Sequence, residues 1–213
     1  MPVFDRSQMF AAVLPLFYSI FPKIGDGVNA VDFPFVKTAR LHLVKIEEKH
    51  APSLFEILSK EEVTKYYGMD PLTDVNHAMK LVESFQNIYE SERGIRWGIE
   101  CKETGAFVGT VGLNNLSMRS KRAEIGYEIH PHFWNQGITS EAVREVLRYA
   151  FEDLDLLRMG AITFLQNEAS IHLLKKAGFS LEGTLRSYLY QNQQSHDALI
   201  FSLLKTEWLV KRK

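Results

Sequence analysis

Between Arg122 and Gly178 the hydrophobic period changes three times, and this limits the folds open to the chain more than any bulk property does. Arg122 to Ile129 alternates as a strand does, the stretch from Gly137 to Phe151 reads as a helix, Met159 to Phe164 reads as a strand again, and Ala169 to Ala177 reads as a helix stopped by Gly178. Ahead of these units the pattern is antiparallel. Thr38 to Ile46 alternates as a half-buried strand, and Ile95 to Cys101, a turn at Lys102 to Gly105, and Ala106 to Leu113 read as a hairpin. A meander followed by strand-helix-strand-helix units predicts a mixed sheet of the α+β class. Ala198 to Leu204 is apolar enough for a central closing strand. Helical patterns occupy Ala51 to Leu58 and Asp74 to Glu92, where Ala78, Leu81, Val82, Phe85 and Tyr89 share one face and Asp74 suits the N-cap.

Composition enters through what it excludes. With 25 basic and 26 acidic residues the formal net charge is -1, which gives no general field to hold nucleic acid or an anionic membrane. Partners are therefore expected at a local site, with no nucleic acid and no stable membrane association. Cys101 is the lone cysteine, so neither an intrachain disulfide nor a cysteine metal cluster can form, and a reducing cytoplasm fits. The seven histidines show no ligand spacing, and no metal is expected. Residues 1-36 read as an N-terminal apolar extension and 37-213 as the folded domain. Met9 to Phe21 is strongly apolar, but it contains Pro15, is too short to span a bilayer, and lacks a small-x-small cleavage site. An arm packed on the body or in a homodimer contact, a membrane or export role, and an upstream start codon all remain open readings of it.

The sequence FWNQGITSEA, Phe133 to Ala142, puts a glycine turn directly before a helix. The first N–H groups of a helix lack intrahelical partners and carry the positive end of its dipole. Gln136, Gly137, Ile138, Thr139 and Ser140 would present successive N–H groups to a phosphate, with Gly137 allowing close approach. Ser140 and Glu141 also suit any first helical turn, so an ordinary capped helix explains them equally well.

Seven segments taken in order give the chain a family likeness. They are Thr38-Ala39-Arg40-Leu41, Val108 to Leu113, Ala123 to Ile129, Trp134 to Ala142, Asn167-Glu168-Ala169-Ser170, Lys176-Ala177-Gly178-Phe179, and Leu204 to Trp208. On these the chain resembles the GNAT superfamily of acyl-CoA-dependent N-acetyltransferases, in the branch of the Rim-type ribosomal-protein N-acetyltransferases, from about Thr38 to Trp208. The resemblance implies a sheet of about six to seven strands flanked by helices, with parallel strands splayed at an acetyl-CoA site. The family's pyrophosphate loop, Q/R-x-x-G-x-G/A, falls on Trp134 to Thr139, where Trp134 replaces a polar residue and Thr139 a small one.

By resemblance, the backbone of the strand ending at Ile129 binds the thioester, and Asn167 contacts the pantetheine arm. Ser170 protonates the departing thiolate, with Tyr188 and Tyr190 in reserve. Asn167 and Ser170 are equally good N-cap residues, and Lys175 and Lys176 either flank the adenosine phosphate or form a solvated face. The glutamate that some Rim-type relatives carry after the pyrophosphate helix falls on Gly160, so the general base shifts to Glu124 or, nearer the strand end, Glu128, with a solvent-facing carboxylate as the plain reading. Acceptor recognition by resemblance involves Glu61, Tyr66, Tyr67, Arg96, Trp97 and His196-Asp197. The expected activity is transfer of acetyl from acetyl-CoA to a primary amine, a protein N-terminal α-amine or a small amine. The alternative is an acyl-CoA-binding regulatory protein with little or no catalysis. A plain nucleotide-binding module is disfavoured because no P-loop lysine and no G-x-G-x-x-G follows a strand.

Overall fold

The structure is a computed structural model and describes residues 33–210. The apolar arm Met9 to Phe21 lies outside the described residues. Strands β1 (Val36–Lys37) and β2 (Leu41–Lys45) lead into helices α1 (Ala51–Leu58), α2 (Glu61–Thr64) and α3 (Val75–Glu90). Then come the antiparallel strands β3 (Ile95–Cys101), β4 (Phe107–Ser117) and β5 (Arg122–Ile129), followed by α4 (Ile138–Arg148), which ends in a π-turn over Tyr149–Asp153. The chain closes with β6 (Arg158–Phe164), α5 (Glu168–Ala177), β7 (Ser180–Gln191), β8 (Gln194–Leu204) and α6 (Lys205–Val210). Asp74 caps α3 as expected, its Oδ1 accepting from the Asn76 N–H at 2.7 Å.

Among the described residues eight strands form one sheet in the order β1-β2-β3-β4-β5-β6-β8-β7. The expectation of six to seven strands is corrected by β1, two residues long and too short to leave a period in the sequence. β8 lies between β6 and β7 rather than at the centre. All neighbours are antiparallel except β5 and β6.

Alternation along β3 assigns the two faces of the sheet. Gly98 faces Phe107 and Ile46, which belong with the cluster that α1 and α3 build from Leu54, Leu58, Ala78 and Val82. Arg96, two residues earlier, lies over the Phe85 ring of α3 at 5.4 Å. Trp97 points the other way, fully buried, with its ring 5.5 Å from Tyr149 beyond α4. On that second side α4 buries Ala142, Val143, Val146 and Leu147 at helical spacing. Phe33 already packs on this body, 6.1 Å from Trp97, and Trp97 Nε1 donates to the Pro34 carbonyl at 2.6 Å.

Candidate active site

The parallel strands β5 and β6 pair over only three positions, Arg122 to Glu124 against Arg158 to Gly160. Beyond them β5 stays with β4 as far as Ile129, β6 stays with β8 as far as Phe164, and the two part. His130 N donates to the Val108 carbonyl at 2.9 Å, and antiparallel ladders alternate, so the C=O of Ile125 and both backbone groups of Tyr127 and Ile129 face the gap. One of these is taken, since Trp134 Nε1 donates to the Ile129 carbonyl at 2.8 Å. The gap opens a cleft of ≈ 1240 Å³ whose walls come from both faces of the sheet.

On the α4 side the cleft is floored by Phe133, Trp134, Asn135, Gly137, Thr139 and Ser140. Gly137 is the N-cap, left-handed at φ 74°, and a Cβ built there would meet only Arg40 Nη2, at 3.5 Å. The first intrahelical N–H to find a partner is that of Glu141, bonded to the Gly137 carbonyl, which leaves the N–H groups of Ile138, Thr139 and Ser140 for a ligand. Two expected contacts stand differently. Gln136 turns its side chain to the His132 carbonyl at 2.8 Å and Ile138 is buried in the core, so neither side chain lines the cleft and only their backbone can serve it.

Glu141 fixes this turn from inside. Its carboxylate accepts from Thr38 Oγ1 at 2.6 Å, from Arg40 N at 2.8 Å and from Arg40 Nε at 2.7 Å, while Arg40 Nη1 donates to the Gln136 carbonyl at 2.9 Å. Burial would raise the Glu141 carboxyl, but the bonds from Thr38 and Arg40 outweigh it and hold the group below its ordinary 4.5. The ionised form is thus favoured in the fold. This stabilisation is present in full above pH 4.5 and is lost as pH falls through the lower folded value. Glu141→Ala should cost about 1–2 kcal/mol, a fall of roughly 2–8 °C in Tm at neutral pH that shrinks in acid, read by thermal melts at two pH values.

On the opposite face Glu128 is buried, 5% exposed, which excludes the solvent-facing reading. Thr110 Oγ1 donates to its Oε1, and Oε2 lies 3.6 Å from Arg96 Nη2 with no hydrogen-bond partner among the described residues. Arg96 Nη2 also donates to the Tyr67 hydroxyl at 3.2 Å. Burial pushes the Tyr67 phenol upward and the Glu128 charge adds to the shift, so Tyr67 keeps its proton. Arg96 can cross the sheet because Gly126 has no side chain; a Cβ there would stand 3.2 Å from Nη1. Glu124 shares this face, bonded to Asn115 Nδ2 at 3.0 Å, and its stem lies 3.1 Å from where a Cβ on Gly160 would be.

The loop carrying Tyr66 and Tyr67 is held by Gln191, a residue the sequence did not single out. Its Oε1 accepts from Gly68 N at 3.0 Å and its Nε2 donates to the carbonyls of Thr64 at 2.8 Å and Met69 at 3.1 Å. Tyr66 and Tyr67 line the cleft, as does Glu62 in place of the expected Glu61. Trp97 belongs to the core of the other face. His196 and Asp197 bond within the β7–β8 hairpin, to the Gln191 carbonyl and the Ser187 N–H.

Asn167 and Ser170 both line the cleft on the α5 side. Asn167 Oδ1 caps α5 by accepting from Ser170 N at 3.1 Å, so the capping reading holds and leaves the side-chain NH2 for another contact. Ser170 Oγ lies 3.0 Å from the Tyr127 hydroxyl. Burial pushes that phenol up to about 12, the Ser170 bond opposing it in part, so Tyr127 is protonated at neutral pH. Tyr188 and Tyr190 are exposed and do not line the cleft, whereas Lys176 does. Among the described residues no group of three His, Cys, Asp or Glu could hold a metal ion, and no helix is long and apolar enough to cross a membrane.

Comparison with known proteins agrees with this geometry. Residues 40–180 match the family described as acetyltransferase (GNAT) domain. The chain is 43% identical over 173 residues to the uncharacterized N-acetyltransferase YoaA of Bacillus subtilis, covering 81% of this chain and 98% of that one. It is 31% identical over 124 residues to the spermidine N(1)-acetyltransferase of Escherichia coli K12, covering 58% and 64%. The solved structure of RimL, a ribosomal L7/L12 α-N-protein acetyltransferase in complex with coenzyme A, superposes with a TM-score of 0.72 at 21% identity, over 80% of this chain and 98% of that one.

Proposed function

We propose, for a chain that belongs to the GNAT acetyltransferase family and is an acetyl-CoA-dependent N-acetyltransferase, that the acceptor is a protein N-terminal α-amine or a small primary amine reaching the cleft from the Glu128 face. The observation that carries this reading is the parting of β5 from β6, which joins a bare helix N-terminus on one face to a buried carboxylate on the other.

The residues present fit coenzyme A. The N–H groups of Ile138, Thr139 and Ser140 would hold the pyrophosphate, with Gly137 giving it room. The Tyr127 and Ile129 backbone edges would align the pantetheine amides, and the Asn167 side-chain NH2 would add a donor. Acetyl-CoA supplies the acetyl group as an activated thioester.

What the chain adds is position and proton traffic. Glu128 Oε2 accepts the proton that the attacking amine must lose, with Oε1 fixed by Thr110 so that Oε2 stays aimed. Ser170 Oγ holds the proton that the leaving sulfur takes up, and Tyr127 stands behind it as the donor that restores it. The parted strands thereby set base and acid on opposite faces, so neither neutralises the other.

Calorimetric titration with acetyl-CoA, followed by thiol release in the presence of primary amines, tests the reading. Micromolar binding with amine-dependent release is the expected result, and binding without release for any amine would sink the transfer reading. Ser170→Ala should lower kcat roughly tenfold or more with acetyl-CoA affinity unchanged, and Tyr127→Phe less, because Ser170 keeps its own proton. Equal kcat for Ser170→Ala and wild type would remove Ser170 from the proton path.

A further inference from the structure

Tyr66 and Tyr67 reach the cleft from the loop between α2 and α3. The far end of that loop is closed by Leu72 N, which donates to the Leu58 carbonyl at 2.9 Å. Between its ends the loop takes three hydrogen bonds from one side chain, that of Gln191. The amide matches the loop group for group: its oxygen meets the Gly68 N–H, and its two N–H donors meet the carbonyls of Thr64 and Met69. Gly68 is left-handed at φ 86°, so the chain reverses where the amide grips it. Gln191 itself is buried, and the residues after it, Asn192 at φ 51° and Gln193 at φ 58°, form a two-residue hairpin turn that fixes the Gln191–Gln194 pair in register. The amide is thus carried on a strand end of set position. From the loop the contacts run inward. The Tyr67 hydroxyl accepts from Arg96 Nη2 at 3.2 Å, and the same Nη2 lies 3.6 Å from Glu128 Oε2. No member of this series belongs to the turn before α4 or to α5.

Resting on the reading that the chain acetylates an amine in this cleft, we propose that Gln191 is a positioning residue for that reaction. It does not touch the amine. It sets the loop that places Tyr67, and through Tyr67 the Arg96–Glu128 pair, so the β7–β8 hairpin governs how the base is aimed. Without its three bonds the loop keeps its closed end at Leu58 and Leu72 but loses what fixes its middle. A misplacement of about 1 Å at the reacting groups is enough to slow an enzyme by about 100-fold, even when the cause lies away from the chemistry. The effect is confined to the amine, because the N–H groups proposed for the pyrophosphate are carried by α4 on the other face of the sheet.

Thiol release from acetyl-CoA is measured with a short peptide bearing a free N-terminus and with spermidine, and the acceptor that wild type turns over is carried forward. Gln191→Met keeps the length of the side chain and removes its hydrogen bonds. On protein shown by melting to be folded, it should lower kcat/KM for the amine about 10–100-fold while the calorimetric Kd for acetyl-CoA stays within about twofold. Tyr67→Phe should lower it similarly. If Gln191 acts through Tyr67, the double variant is no worse than the poorer single one by more than about twofold, whereas independent effects multiply. Where Gln191→Met does not fold, Gln191→Glu takes its place in the cycle. It keeps the acceptor for Gly68, has the shape of the original and turns a carboxylate toward two carbonyls, so at least about a tenfold loss is expected. A folded variant with wild-type amine kinetics overturns the proposal and leaves Gln191 a strut of the fold. So does an equal loss of acetyl-CoA affinity, or a double variant whose losses multiply. Acetyl-CoA binding by wild type with no amine-dependent release is a different failure, that of the transfer reading itself, and this proposal falls with it.

Discussion

Glu128→Gln should lower kcat by about 10²–10³-fold while acetyl-CoA affinity stays within about twofold, because the substitution removes a proton acceptor and leaves the coenzyme face untouched. Glutamine keeps the size of the side chain and can still meet Thr110, so the floor of the cleft stays filled. It cannot accept the amine proton at the position of Oε2. The same change strips Arg96 of its counter-charge in a buried setting, which costs about 3–5 kcal/mol where such a pair is broken outright. Kinetics must therefore be read on protein shown by melting to be folded at the assay temperature. A folded Glu128→Gln enzyme with wild-type kcat would make the carboxylate only a partner for Arg96 and return the role of base to Glu124.

The second large effect is expected at the turn before α4. Gly137→Asp should weaken acetyl-CoA binding at least about 100-fold, read by calorimetry, with little change in Tm. Two opposing influences on the fold make this variant informative. A side chain at φ 74° is strained by about 1–2 kcal/mol, and least so for Asp or Asn. Against that, an aspartate at an N-cap bonds the first-turn N–H groups and suits the helix dipole. The open space above Gly137, with Arg40 Nη2 at 3.5 Å from the new Cβ, can take the side chain. What the fold tolerates the ligand does not, because the carboxylate occupies and charges the place proposed for the pyrophosphate. Unchanged affinity would move the anion away from this turn and leave FWNQGITSEA as a capped helix.

The strands and helices were legible wherever a single segment carried its own period: β5 coincides with its predicted span, and Asp74 caps α3 as read. The glycine turn ahead of α4 was legible for the same reason, since the turn and the helix after it are neighbours in the chain. The opposite wall of the cleft was not. Glu128 reads as an ordinary strand carboxylate until β3 brings Arg96 across Gly126 to meet it, and no local pattern announces a pair formed two strands apart. Glu141 likewise reads as a first-turn acid, but its partners Thr38 and Arg40 arrive from about 100 residues earlier. Tyr127 carries no sign in the sequence, because its hydroxyl acquires meaning only from Ser170, 43 residues on. Gln191 carried no signal at all, being a hairpin glutamine whose three bonds run to a loop more than 120 residues away.

The brevity of the β5–β6 pairing has a mechanical side. The sheet is two antiparallel blocks, β1 to β5 and β6 to β8, sewn together along a seam three residues long at one end. Each block is laced along its length, so deformation concentrates at the seam, and the open end can flex without breaking a ladder bond. A molecule lying between β5 and β6 and bonding to the bare edge of β5 would act as the missing stitches. Substrate binding and the stiffness of the whole sheet would then be one event, and release of the product would restore the seam's freedom with every turnover.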